Sequence, residues 1–198
     1  MNTRQQRYIL LDRDGVINRR IPNGYVTSWE QFSFLPGALE GLRLLAQNNF
    51  TTLVISNQAC VGRGLLSSQN LDVLTQRFLL EVALAGGNIT HVYYCRHTEY
   101  DHCNCRKPLP GLINYAKADF HFLPSETFLV GDSESDLQAA AAAGCPSIFL
   151  KRGSFLNPRA VLDITEMAVS SLLEAAEAML ALQSPAAEPA VALAKLRA

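Results

Sequence analysis

Short β-branched and aliphatic runs alternate along the chain with segments whose apolar residues recur every three or four positions. That alternation predicts a parallel sheet covered by helices, an α/β three-layer, doubly wound fold. Residues 8–11 form the first apolar run and end at Asp12. A polar loop with Pro22, Asn23 and Gly24 follows, and Pro36 opens a helix whose apolar face is Leu39, Leu42 and Leu45. Residues 51–55 make a second strand ending at Ser56. A loop with Gly62 and Gly64 leads to a helix from about residue 68, with Leu71, Leu74, Phe78 and Val82 on one face and Gly86 and Gly87 as its stop. Residues 90–94 predict a third strand, Pro110 opens a helix through Ile113, Ala116 and Lys117, and residues 127–130 predict a fourth strand. Ser133 or Ser135 caps a helix over 136–143 that Gly144 ends, and residues 147–150 are the fifth strand. Beyond Pro158 the pattern weakens to one amphipathic helix over 169–182. The last 18 residues hold seven Ala and two Pro and read as a flexible tail. The expected division is therefore a domain over 1–157, with a metal loop at 95–107, and a C-terminal extension over 158–198.

Composition narrows the function classes. The 198 residues are 48% hydrophobic, enough for a core without disulfide staples. Lys and Arg number 17 against 18 Asp and Glu, for a net charge of −1, which argues against nucleic acid as a partner. No apolar run approaches a membrane span, and the short stretch after Arg7 stops at Asp12, so no signal peptide or membrane association is expected and the chain reads as cytoplasmic. The charge is also unevenly placed. Nine of the 17 basic residues fall in the loops after the predicted strands: Arg13, Arg19, Arg20, Arg63, Arg96, Arg106, Lys107, Lys151 and Arg152. An anionic ligand at that edge is expected.

In a parallel sheet all strand C-termini share one edge, where open α/β folds bind ligands. Asp12 and Asp14, then Ser56 and Asn57, then Arg106 and Lys107, then Asp132 therefore converge on one crevice. Clustered carboxylates need a cation between them, and hard oxygen ligands beside an anionic substrate point to Mg2+. A carboxylate can attack phosphorus, making Asp12 the candidate nucleophile, with Asp14 as acid and then base. Ser56 and Lys107 would hold the phosphoryl oxygens. Taken singly, each Asp reads equally well as a turn cap, and Lys107 as a solvated loop residue; the joint placement carries the reading.

The five cysteines point to a second centre. Cys95-x-His97-x5-Cys103-x-Cys105 offers three thiolates and an imidazole, a closed tetrahedral set for structural Zn2+, with His102 as a competing ligand. Such a clip ends directly at Arg106 and Lys107. Cys60 and Cys145 read as ordinary small apolar residues.

Asp12-Arg13-Asp14-Gly15-Val16, Ser56, Lys107 and Gly131-Asp132-x-x-x-Asp136 resemble the four motifs of the haloacid-dehalogenase (HAD) superfamily of phosphatases. Within it, Ile17-Asn18, Gly24-Tyr25-Val26, Ser56-Asn57-Gln58, Arg63-Gly64, the Cys/His loop running into Arg106-Lys107-Pro108, and Leu137-Gln138-Ala139-Ala140 resemble the heptose-1,7-bisphosphate 7-phosphatases. The resemblance spans about residues 7–153. It implies Asp12 as nucleophile, Asp14 as acid/base, and Asp12, Asp14 and Asp132 as Mg2+ ligands. It implies further that Asn23, Gly24, Tyr25, Asn57, Gln58, Arg63 and Arg106 face a small phosphorylated sugar, in a chain expected to act as a monomer.

Two features depart from that pattern. Only five residues separate His97 from Cys103, a spacing that resembles the related histidinol-phosphate phosphatases. Ser133 stands where both branches usually carry a basic residue, so a contact to a substrate anion is missing or Arg152 supplies it. Histidinol phosphate or another small sugar phosphate is thus the alternative substrate, and a zinc-clipped phosphate-binding module the non-enzyme alternative. From Asp12 to Ser56 there are 44 positions, and from Ser56 to Lys107 there are 51. The crossovers use most of that length, leaving no room for a cap domain over the crevice.

Overall fold

The computed structural model describes residues 6–151, 165 and 167–182. Arg152, the expected domain boundary at 157 and the expected tail over 183–198 lie outside the described residues.

Six strands pair in parallel: β1 (Arg7–Leu11), β2 (Phe50–Asn57), β3 (His91–Cys95), β4 (Phe128–Gly131), β5 (Ser147–Leu150) and β6 (Met167–Val169). Their spatial order is β3-β2-β1-β4-β5-β6. The chain winds outward from β1 to β3, then returns to the other side of β1 for β4. The loops leaving β1 and β4 thus diverge to opposite faces and open a crevice between them, the switch point at which such sheets bind ligands.

Alternate side chains of each strand feed two cores, as the two-residue strand period requires. Ile9, Leu11, Val54, Val130, Ile148 and Leu150 belong to one cluster, which includes residues of α1 (Ala38–Gln47), α3 (Ser68–Leu84) and α6 (Leu172–Leu182). Leu10, Leu53, Ile55 and Leu129 point the other way, to Leu112, Ile113 and Ala116 of α4 (Gly111–Phe120) and Ala139 and Ala140 of α5 (Glu134–Ala143). The three-layer α/β fold expected from the sequence is the one observed. The apolar face expected of α3 is buried in full: Leu71, Leu74, Phe78 and Val82.

Several boundaries differ in ways that bear on the crevice. Strand β2 runs on through Ser56 and Asn57, so these two are held in strand geometry. Strand β3 ends at Cys95, which anchors the metal loop to the sheet. A single turn of helix, α2 (Ala59–Gly62), follows β2 and was not expected. The segment expected to be helical over 169–182 instead begins with β6 and turns helical at Leu172. Three residues are too few to show a strand period, and only pairing with β5 makes them a strand.

The described part of the C-terminal segment is built into the same sheet. Leu172, Ala175, Ala176 and Met179 share a cluster with Leu42 and Leu45 of α1. Leu172 has no solvent exposure. Leu172→Ala is expected to cost about 2–5 kcal/mol of stability through lost burial and a cavity, measured by urea unfolding. Stability close to that of the parent chain would mean that α6 is not part of the core.

Candidate active site

Where β1 ends, the Asp12 N–H donates to the Val130 carbonyl at 3.0 Å, tying the turn to β4. The Asp12 carboxylate is buried and faces the Lys107 ammonium, with Oδ1 at 2.9 Å from Nζ. Lys107 reaches a second carboxylate, Asp136, at 2.5 Å and donates to the Ile55 carbonyl of β2 at 3.0 Å. Its backbone is clamped by the last residue of β2: the Asn57 amide donates to the Lys107 carbonyl at 3.0 Å and accepts from its N–H at 3.1 Å. Burial works against the Lys107 charge, but Asp12 and Asp136 outweigh it and hold the ammonium protonated well beyond its ordinary range. Burial pushes the Asp12 carboxyl up, and the neighbouring Asp136 and Asp14 add to this against the pull of Lys107.

Asp136 was read from the sequence only as the fourth anchor of a motif. Its other oxygen caps α5, accepting from the Ser133 N–H at 3.1 Å and hydroxyl at 2.5 Å. With one oxygen on Lys107 and the other on the cap, Asp136 orients the lysine. Asp132 lies beside Gly15, whose φ of +99° and missing side chain admit it: a Cβ there would fall 1.8 Å from Asp132 Oδ2. Burial raises the Asp132 carboxyl to about 7, with Asp12 adding to the shift and Arg20 opposing it.

Asp14 sits in a different environment. Its carboxylate meets the fully buried Arg13 at 2.9 Å and accepts from Asn18 at 2.8 Å and Gln58 at 2.7 Å. Burial would raise its pKa, but the Arg13 charge and these hydrogen bonds prevail and hold it below the usual range. The expected Asp14 carboxylate is therefore turned from the other three. Its backbone oxygen is the atom near Asp132, since the Arg20 guanidinium bonds both, at 3.3 and 2.7 Å. Ser56 is buried and accepts from Gln58 at 3.1 Å.

The loop after β3 gathers four ligand-type side chains. Cys95 Sγ lies 3.7 Å from Cys103 Sγ and 3.7 Å from His97 Nδ1. Cys105 Sγ lies 3.3 Å from His97 Nδ1 and 3.6 Å from Cys103 Sγ. A tetrahedral zinc with bonds of about 2.3 Å to sulfur sets ligands roughly 3.5–3.8 Å apart, so the group fits that ion. His102 is not in it. Burial and the neighbouring thiols push Cys105 up to about 12, a strain a bound cation would relieve.

A HAD-hydrolase-like family model matches residues 104–175. The chain is 41% identical over 136 residues to the D-glycero-beta-D-manno-heptose-1,7-bisphosphate 7-phosphatase of Neisseria meningitidis serogroup A, spanning 69% of this chain and 72% of that protein. It is 31% identical over 186 residues to the enzyme of the same name from Escherichia coli O6:H1, spanning 90% and 96%. The chain belongs to the heptose-1,7-bisphosphate 7-phosphatase family of HAD phosphatases. Mycobacterium bovis has a relative named for the alpha anomer, 38% identical over 71% of this chain and 77% of that protein. The crystal structure of the Bordetella bronchiseptica D,D-heptose 1,7-bisphosphate phosphatase complexed with magnesium and phosphate matches with a TM-score of 0.81 at 32% identity, over 88% of this chain and 98% of that one.

As a member of this phosphatase family, the chain presents a cleft of about 240 Å3 with Asp12, Asp14, Ser56 and Lys107 among its lining residues. Gly24, Tyr25, Asn57 and Arg106, expected on the sugar side, line it as well. Three expected residues do not. Gln58 is buried behind Asp14 and Ser56, Arg63 pairs with Glu99 at the rim, and Asn23 is exposed in a left-handed turn with φ 53°. Ile21, Val26 and Ser135 complete the wall without having been named as substrate contacts, together with Ser133, read as the place of a missing basic contact, and Arg20. Arg20 carried a signal in the sequence as one of the loop cations, but its direction is set by the turn after Asn18, which periodicity does not report.

Oxygen donors from Asp12, Asp132 and the Asp14 backbone suit a hard divalent cation such as Mg2+. Gly15→Ala tests how closely the phosphatase depends on the placement of Asp132. Hydrolysis of phosphomonoesters is expected to fall about a hundredfold or more, since a displacement of about 1 Å is enough for such a loss. Near-parent turnover with an intact circular-dichroism spectrum would show that Asp132 is not held against Gly15.

Proposed function

We propose that this chain removes the 7-phosphate of D-glycero-D-manno-heptose 1,7-bisphosphate through an aspartyl-phosphate on Asp12. The observation that carries this reading is Lys107, buried between Asp12 and Asp136 at the foot of the cleft, in a chain similar over 90% of its length to a phosphatase of that name. The Asp12 carboxylate attacks phosphorus as the bond to the sugar oxygen breaks, and Asp14 gives that oxygen its proton. Asp14 then takes a proton from water, whose oxygen attacks phosphorus and releases phosphate from Asp12. Arg13, Asn18 and Gln58 hold Asp14 ionised, the form the second half needs; an arriving phosphate dianion raises its pKa and readies it as the acid. Ser56 and Lys107 hold the equatorial oxygens. Asp12, Asp132 and the Asp14 backbone oxygen would hold Mg2+, which supplies positive charge to the transferring oxygens when bound.

Cys95, His97, Cys103 and Cys105 are assigned to a structural zinc that keeps the chain leading to Arg106 and Lys107 in place. Free thiols in such a group suit a reducing compartment, consistent with a cytoplasmic enzyme. Among the described residues no helix is long and apolar enough to cross a membrane. The monomeric state expected from the sequence stands as part of the same proposal.

A hydrolysis screen with Mg2+ over heptose 1,7-bisphosphate, heptose 7-phosphate and histidinol phosphate tests the substrate. The bisphosphate is expected to have the highest kcat/KM, and Asp12→Asn to abolish turnover while the chain stays folded. Higher efficiency on histidinol phosphate would move the assignment to that substrate, and a turning-over Asp12→Asn would remove the nucleophile.

The zinc has its own measurement. Elemental analysis is expected to find about one zinc per chain, and chelation to lower kcat/KM about tenfold or more by loosening Lys107, with zinc restoring it. Fully active protein without zinc would sink the assignment.

A further inference from the structure

Among the described residues three cations reach the cleft wall, and they are not equivalent. Lys107 is buried, pairs with Asp12 and Asp136, donates to the Ile55 carbonyl, and is assigned above to the reacting phosphoryl group. Arg106 approaches from the side of the metal loop, donating to the His97 carbonyl at 3.4 Å. Arg20 enters from the loop after β1, with its side chain 51% exposed. A substrate with two phosphates brings a second dianion that needs more than one donor. The first turn of α5 cannot supply a cation, for it reads Ser133, Glu134, Ser135 and Asp136.

The present partners of Arg20 show how it becomes available. Its guanidinium bonds Asp132 Oδ1 and the Asp14 carbonyl, two of the oxygens assigned above to the divalent cation. It places a positive charge there, and a divalent cation on the same oxygens would repel the guanidinium and compete with it for them. A bound divalent cation therefore frees Arg20. The side chain stays in the cleft because its loop is fixed beside it: the Asn18 side chain bonds both Asp14 and the Arg19 carbonyl, and the Arg19 N–H donates to the Ser33 carbonyl. The Ser133 and Ser135 hydroxyls, 2.9 Å apart, line the same cleft.

We propose that Arg20 is the specificity-determining residue for the second phosphate of the substrate, released from Asp132 and Asp14 when the divalent cation binds. This rests on the bisphosphate reading above and gives the place left by Ser133 to a residue from a different loop.

Two measurements on Arg20→Ala test it. Calorimetric titration of the substrate-free protein with Mg2+ is expected to show severalfold tighter binding than in the parent, because no internal cation competes; equal or weaker binding overturns the release. The ratio of kcat/KM for heptose 1,7-bisphosphate over heptose 7-phosphate is expected to fall about ten- to a hundredfold, the worth of a charge-assisted contact. A parent preference for the bisphosphate that survives in Arg20→Ala overturns the assignment alone. A parent chain with equal efficiency on both substrates overturns the bisphosphate reading, and the assignment with it.

Discussion

The site depends on one buried ammonium. Lys107 places its charge within 3.0 Å of three oxygens that come from three separate parts of the fold: Asp12 after β1, Ile55 in β2, and Asp136 at the start of α5. A buried ion pair stabilises little unless every polar atom finds a partner, and removing one member strands the others. Here one hydrogen bond, to Ile55, and two ion pairs, to Asp12 and Asp136, make the lysine a geometric constraint that joins the ends of β1 and β2 to the start of α5. Three carboxylates, Asp12, Asp132 and Asp136, still lie within 4.8 Å of one another with one lysine among them. The excess of negative charge is the physical reason that a divalent cation fits, and the reason that Arg20 leans in on Asp132.

Lys107 itself comes from a weak place in the chain. Between Cys95 and Gly111 only a single turn at Glu99–Asp101 is regular. Two of the contacts that hold this stretch bear directly on the site, the Asn57 amide at Lys107 and the four-ligand group that ends at Cys105. A metal there would set the direction of the two residues that follow, which is how a structural ion can govern chemistry it never touches.

Much of this was legible from residue order. The strand-helix alternation implied a parallel sheet, and a parallel sheet brings Asp12, Ser56, Lys107 and Asp132 to one edge without knowledge of any side-chain direction. What stayed hidden was direction inside the turns. Gln58 follows Ser56 and Asn57 and reads like them, yet it is turned into the protein behind Asp14. Asp136 reads as the first residue of a helix and the end of a motif, yet its carboxylate both completes the cap with Ser133 and grips Lys107. Arg13 reads as a loop cation and has no exposure at all. Each depends on contacts between segments about 30 to 80 positions apart, which local periodicity does not carry.

Arg13 accounts for the last property of the site. Asp12 and Asp14 are two positions apart and carry the same functional group, yet their environments drive them in opposite directions. Asp12 is desolvated beside other carboxylates and its pKa rises; Asp14 is desolvated too, but Arg13, Asn18 and Gln58 surround it with donors and its pKa falls. Arg13 is in turn fixed from beyond the site: its guanidinium lies over the Tyr94 ring, 5.7 Å from the centroid, and the Tyr94 hydroxyl sits 2.9 Å from Thr75 of α3. The two-step displacement proposed above needs Asp12 ionised and Asp14 protonated at its first step, so positive charge beside Asp12 and the substrate's negative charge beside Asp14 have to reverse both leanings. The alternation of Asp, Arg and Asp therefore does more than space two acids along a turn. By sending Arg13 inward it gives one acid a private counter-charge and leaves the other dependent on Lys107 and a metal.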